Sequence, residues 1–326
     1  MARWLVRRLI ITVITFIGIT MIVFSLMRLT PVSPVDLMLL NMRTQGGLPA
    51  GDLAALREKL SIELGLDKPI PVQYVIWLGE VVTKGNLGFS FLTGRPALIT
   101  VVERLPPTLI LMGTALMISL VVGVPLGILA ALRRNKLTDY VVSSFGLSVV
   151  AVPSFFLGLL LIYVFAVRLN WVPAGGMINP NNPNDIVDAL KRLALPSLVL
   201  GLGGVGPIIR YVRTSILETL GKEYLVTARS KGLPRASVIW RHAFPNALLP
   251  LITVVGLQIG GLLAGAFITE QVFTWPGMGR LALTAIGNRD YPIVQAFAVL
   301  VAAMVLIGNL LADIAYGIAD PRIRME

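Results

Sequence analysis

The sequence contains no cysteine and a single histidine. Disulfides and thiolate metal sites are therefore excluded, and so is a multi-histidine site. Charge is scarce too: 14% of the 326 residues are Asp, Glu, Lys or Arg. A soluble domain carries about a quarter. No Gly-x-x-x-x-Gly-Lys-Ser/Thr string occurs, so the chain offers no P-loop for ATP. No Gly-x-Ser-x-Gly turn occurs, and the histidine, His242, lies in a polar loop. An intramembrane serine or metal hydrolase needs a base or ligands that are missing.

What is present is apolar. Hydrophobic residues make up 56% of the chain, and the mean hydropathy is +0.81. This is a polytopic membrane protein, expected to be all-α. Leu9 to Met27 is an uncharged run of spanning length after Arg3, Arg7 and Arg8. Its basic start is shared with signal peptides. The run is long for one, however, no small-x-small cleavage site follows, and more spans come later. It reads as a retained first helix.

Residues 30 to 103 are polar by comparison. Asp52 can cap a helix with apolar positions Leu53, Leu56, Leu60 and Leu64, ended by Gly65. A second helix over Val72 to Val82 ends near Gly85. Pro106 to Leu132 is the second span, with Gly123-x-x-x-Gly127 for close helix approach and Pro125 as a kink. Tyr140 to Val167 is the third, with Pro153 within it. Asn170 to Arg192 is a polar loop, and Leu193 to Ile209 a short fourth span. Gly201-x-Gly203-x-x-Gly206 in that span matches a dinucleotide-binding string. No βαβ unit surrounds it, so close packing is the better reading. Ala247 to Thr269 is the fifth span, with Gly256, Gly260, Gly261 and Gly265. Gln258, Gly256 and Gly260 are candidates for either the pathway or helix packing. Ile293 to Ala312 is the sixth span.

Six spans place the short basic segments on one side: Arg3 to Arg8, Arg133 to Lys136, Lys222 to Arg241, and Arg322 with Arg324. The positive-inside rule makes that side the cytoplasm, with both termini there. Orientation thus explains the net charge of +11 without a nucleic-acid partner.

One polar stretch between the fourth and fifth spans organises the chain: Glu223 to Pro245. It reads as two short helices and a corner. Lys231 sits at the negative end of the first helix. Gly232 suits a left-handed residue just past it, with Leu233 as its apolar contact. Pro234 opens the second helix, and Pro245 ends the unit. Ala236, Ile239, Trp240 and Ala243 form an apolar stripe, with Arg235, Arg241 and His242 off it. Such a unit is either a loop resting on the membrane surface or a docking element for a soluble partner.

The stretch resembles the signature EAA loop of binding-protein-dependent ABC-transporter permeases. Ala228, Gly232 and Pro245 keep that pattern's spacing, while Val226, Thr227 and Phe244 depart from it. The departures resemble the peptide-transporter branch, through Glu223, Tyr224, Ala228, Arg229, Lys231, Gly232 and Leu233. Other pieces are similar to the B-type permeases of that branch. They include Leu64-Gly65-Leu66-Asp67, Gly85-x-Leu87-Gly88-x-Ser90, Glu270-x-x-Phe273-x-x-Pro276-Gly277-x-Gly279, Arg289-Asp290-Tyr291-Pro292 and Asp320-Pro321-Arg322-Ile323. Pro31-Val32-Ser33-Pro34 lacks the usual Gly and Asp.

The resemblance implies a six-helix, type I ABC-importer permease of a bacterial or archaeal cell membrane, not an enzyme. It implies residues 1–29 as N-terminus and first helix, 30–103 as an extracytoplasmic subdomain, and 104–326 as a five-helix core. The ATPase-coupling loop would be 214–246. The implied partners are a second, homologous permease in a heterodimer, two ABC ATPases, an extracytoplasmic solute-binding protein and membrane lipid. ATP and Mg would be bound by the ATPases, leaving this chain without a cofactor. The branch carries dipeptides and oligopeptides, and relatives carry nickel, glutathione, opines or oligosaccharides. The contrasting reading is a secondary transporter driven by an ion gradient, which would show ionisable residues inside its spans.

Overall fold

The computed structural model describes residues 2–29, 35–36, 39, 53–63, 66–232, 234, 237–248 and 251–319. Pro31 to Pro34, Asp52, Leu64, Gly65, Leu233, Arg235, Ala236 and the Asp320 tail lie outside that set, as do the side chains of Ala228, Arg229 and His242. Among the described residues the fold is helical with no strand. The chain divides into two compact units: Met1–Arg8, Pro107–Gly279 and Ile307–Glu326 form one, and Leu9–Pro106 with Arg280–Leu306 the other.

The helices run in this order: α1 Ala2–Arg28, α2 Leu53–Glu63, α3 Ile70–Lys84, α4 Ala97–Val102, α5 Leu105–Leu132, α6 Leu137–Ala151 and α7 Ser154–Leu161, which a π-helical stretch continues over Ile162–Arg168. Then come α8 Ile186–Leu220, α9 Glu223–Ser230, a π-helical stretch Val238–Ala243, α10 Phe244–Leu248, α11 Leu251–Val272, α12 Met278–Gly287 and α13 Tyr291–Ala319.

Four helical stretches are long and apolar enough to cross a membrane: Trp4–Arg28, Ala97–Leu132, Ile186–Leu220 and Tyr291–Ala315. The pair α6 and α7 makes a fifth if counted as one broken span. Most of the stretch expected as the fifth span falls in α11, a helix of 22 residues that is not among those stretches. Two expectations need correction. The third span is not one helix, because α6 and the α7 segment meet at 95°. Val152, restricted by the proline after it, is extended at φ −82, ψ 124, and Pro153 is non-helical at ψ 132. The fourth span does not stop at Ile209. α8 runs for 35 residues, starting where Asp185 accepts a hydrogen bond from the backbone N–H of Asp188. The supposed loop 170–192 therefore ends in helix, and α8 continues past Arg210 and Arg213.

In the first unit α8 is the hub. Ile208, Val212 and Ile216 are buried against Ile128 and Ala131 of α5 and against Ala247. Val205 and Ile209 pack with Ala130 and Val142. Leu195 and Val199 pack with Phe273. Glycines set these distances. A Cβ on Gly123 would lie 2.7 Å from Ile208 Cγ2, and one on Gly127 would lie 2.9 Å from the Ile209 carbonyl. A Cβ on Gly206 would overlap the carbonyl of Gly146. The Gly-x-Gly-x-x-Gly string is thus a packing surface at Gly201 and Gly206, while Gly203 faces open space.

In the second unit Phe24 of α1 packs on Tyr74 and Trp77 of α3, with ring centroids 5.6 and 5.4 Å apart. α3 ends as expected at Gly85, left-handed at φ 63. Asp290 is buried and accepts hydrogen bonds from Ser90 Oγ at 2.5 Å and the Phe91 N–H at 3.0 Å. That pair staples the 88–97 loop to the turn before α13.

Candidate functional site

The corner between α8 and α11 starts where α8 ends at Gly221, whose N–H bonds back to Glu218. Glu223 opens α9 in its first turn, where a negative charge suits the helix dipole. α9 ends at Ser230, followed by Lys231 and then Gly232 at φ 77. Gly232 is left-handed, as its place past a helix end predicts, and among the described residues no heavy atom lies within 4 Å of where a Cβ would be. The tight point is thus the backbone conformation, not the space around it.

After the corner the structure departs from the expected α-helix. Val238–Ala243 is π-helical, and Phe244 donates its N–H to the Ile239 carbonyl, five residues back. Pro245 does not end the unit; it lies near the start of α10 and the helix continues to Leu248. Proline removes one backbone donor and its ring crowds the carbonyl of the preceding turn. A wide turn directly before it relieves that crowding.

The wider pitch also rearranges the apolar face. The buried residues are Val238 and Ala243, five apart, which close on Leu225 of α9. Ile239 is half-buried. Trp240 is 56% exposed and packs at a tilt on Phe244, at 5.2 Å between centroids. Tyr224 is 44% exposed, and Lys231, Arg241 and Pro245 are exposed as well. The loop thus has a small core of its own and presents two aromatic side chains outward, ringed by charge. Exposed aromatics in a charged setting are what a protein interface uses.

The second group of candidates lies on α11. Gly256 is buried so closely against Ala312 that an added Cβ would overlap it. Gln258 Oε1 lies 2.8 Å from where a Cβ on Gly204 would be, and its Nε2 is buried without a partner among the described residues. Gly260 is half-buried.

Three polar clusters of the two units escaped the sequence reading. Thr108 Oγ1 donates to Glu270 Oε1 at 2.6 Å and accepts from the Met278 N–H at 2.9 Å. Trp275 Nε1 donates to the Pro107 carbonyl at 2.9 Å. Glu270 and Trp275 are almost wholly buried, so the turn 273–278 is fastened to the start of α5. Asp139 of α6 is paired with Arg213 of α8. The third is the Ser90–Asp290 staple. Each joins residues more than 70 positions apart; Ser90, Glu270 and Asp290 stand in motifs named above, and Asp139 and Arg213 lie just outside the expected spans, but nothing in the sequence paired them.

A family model described as "Binding-protein-dependent transport system inner membrane component" matches residues 123–325. The N-terminal model of the same kind of membrane component matches residues 1–112. The chain is 38% identical to the oligopeptide transport system permease protein AppB of Bacillus subtilis over 324 residues, covering 99% of each chain. It is 38% identical to the dipeptide transport system permease protein DppB of Escherichia coli over 348 aligned positions, again 99% of each. Among solved structures it resembles a chain of the MetNI methionine ABC transporter in an inward-facing conformation. That match has a TM-score of 0.56 at 18% identity, over 68% of this chain and 97% of the other. At that identity the likeness is one of fold.

Proposed function

The chain belongs to the binding-protein-dependent transport system inner membrane components, and from that membership we propose that it forms half of an ATP-driven pathway for peptides or a similar small solute. It is a membrane-embedded permease of a peptide-type ABC importer, and its relatives are named as permeases, not enzymes. The finer reading joins it to a second homologous permease, two ABC ATPases that bind ATP and Mg, and an extracytoplasmic solute-binding protein. Both termini and the loop at 214–246 lie in the cytoplasm, as the short basic segments support. The six spans are α1, α5, the bent α6–α7, α8, α11 and α13.

The observation that carries this reading is the corner at Gly232. A polar element between two apolar helices is built around a left-handed glycine, is braced by Leu225, Val238 and Ala243, and turns Tyr224 and Trp240 outward. A mere connector needs neither an internal core nor exposed aromatics. The coupling residues are therefore Glu223, Tyr224, Ala228, Arg229, Lys231, Gly232, Leu233, Ile239, Trp240, His242 and Pro245, and closure of the ATPases would reach the spans through α8 and α11.

The test is reconstitution. The purified complex in vesicles should take up labelled peptide only with ATP and the binding protein, and uptake should survive collapse of ion gradients by ionophores. Uptake without ATPase subunits, abolished by ionophores, would make the protein a secondary transporter instead.

A further inference from the structure

A cavity of about 420 Å³ opens in the first unit between α6 and α8. Its lining changes along the helices. Asp139 and Arg213 stand at one end, Arg210 one helical turn further in, and Leu147 and Val150 line it beyond. From Asp139 to Val150 is eleven helical residues, about 16 Å. That is about one leaflet of a ~30 Å hydrocarbon core. Leu147 is 66% and Val150 54% exposed, so the apolar part opens sideways off the helix pair.

The charges at the polar end do not cancel. Asp139 is engaged by Arg213 through two hydrogen bonds. Arg210 lies one helical turn from Arg213 and is exposed, and its guanidinium makes no ion pair or hydrogen bond among the described residues. It sits within a stretch apolar enough to span a membrane. A cation at such a position needs an anion or water. The basic loop of Arg133, Arg134 and Lys136 immediately precedes α6 and raises the positive potential at this end.

We propose that this cleft binds an anionic phospholipid of the leaflet next to that loop, with the headgroup phosphate on Arg210 and one acyl chain along Leu147 and Val150. The gradient from cationic to apolar lining selects an amphiphile. Free phosphate would leave the apolar length empty, and a peptide carboxylate would satisfy Arg210 without filling it. Basic pockets between spans on the cytoplasmic side suit such headgroups. The inference rests on the membrane reading, not on transport.

The test is native mass spectrometry of the purified complex after equilibration with phosphatidylglycerol or phosphatidylcholine in matched detergent. Wild type should retain phosphatidylglycerol at least tenfold more than phosphatidylcholine. Arg210→Gln should lose that preference and Arg210→Lys should keep most of it. Val150→Trp, which fills the apolar part, should lower retention of both lipids. Equal retention by wild type and Arg210→Gln would overturn the proposal. So would displacement of phosphatidylglycerol by inorganic phosphate alone or by a tripeptide. Uptake is not the readout, so failure here leaves the transport reading standing.

Discussion

Arg213 donates from Nε and Nη2 to the two carboxylate oxygens of Asp139, at 2.6 and 2.7 Å. The fork matches the carboxylate plane, which fixes α6 on α8 in register as well as in distance. Asp139 also accepts from the N–H of Asn135, itself left-handed at φ 61, so the same carboxylate shapes the turn between α5 and α6. The Asp139 side chain is 4% exposed and that of Arg213 28%.

Breaking this pair from one side should cost more than removing it. Asp139→Ala leaves a partly buried guanidinium without its partner, an expected loss of about 3 kcal/mol. The double change Asp139→Asn with Arg213→Gln should recover part of that loss, because no unpaired charge remains. Thermal unfolding of the complex in one detergent measures both. If the double variant is as unstable as the sum of the two single changes, the residues act independently and the pair is not the clamp.

The turn 273–278 offers a second test. Glu270 is fully buried, and a Cβ on Gly277 would overlap its carboxylate. Gly277→Ala should therefore destabilise the complex even though Gly277 itself is not left-handed. Thr108→Val keeps the shape but removes one donor to Glu270 and one acceptor for Met278, and should cost about 1–3 kcal/mol. Wild-type melting for Gly277→Ala would show that the turn can move aside.

How far the sequence revealed this structure depended on whether the cause was local. Gly123, Gly127, Gly201 and Gly206 announced close packing, and the structure supplies their neighbours. Gly85 and Gly232 announced left-handed helix ends, since few other residues adopt that backbone cheaply. Proline was less informative. Val124-Pro125 stays helical in α5, whereas the same dipeptide at Val152-Pro153 breaks the chain by 95°. The difference is tertiary: Gly123 and Gly127 press α5 onto α8 on both sides of Pro125. The pitch of Val238–Ala243 was hidden because a 3.6-residue stripe assumes an α-helix. Arg210 and Glu270 were read as ends of apolar runs, where a charge looks like a membrane boundary. Thr108, which donates to Glu270, and the α6 residues that line the cleft beside Arg210 come from distant parts of the sequence and left no mark nearby.

The bend at Pro153 sharpens the topology test. Fusions of a compartment reporter after Arg134 and Arg241 should read cytoplasmic, and fusions near Gly85, Asn181 and Asn288 extracytoplasmic. If α6 and α7 form a re-entrant loop instead of one broken span, the Asn181 fusion will report the same side as Arg134. That result would overturn the six-span reading.

The corner at Gly232 should carry the coupling to ATP. At φ 77 any residue with a Cβ is strained, by about 1 kcal/mol or more, and a β-branched one most. Among the described residues no atom lies within 4 Å of the Cβ position, so the strain there is conformational. Valine should relieve it by rotating the backbone, which re-aims Val238 and Ala243 away from Leu225 and turns Trp240 out of line. Asparagine tolerates the left-handed region and should be far milder. The two variants add comparable volume, so a difference between them isolates the backbone. The expected outcome for Gly232→Val is a chain that inserts normally, retains the ATPases poorly in copurification and loses most solute-stimulated ATP hydrolysis and uptake in vesicles. Gly232→Asn should keep most of each. Trp240→Ala leaves the backbone alone and removes one outward aromatic, so it should weaken ATPase retention without the misaimed helix. Equal and full transport by Gly232→Val and Gly232→Asn, with normal ATPase retention, would reduce the loop to a solvated connector.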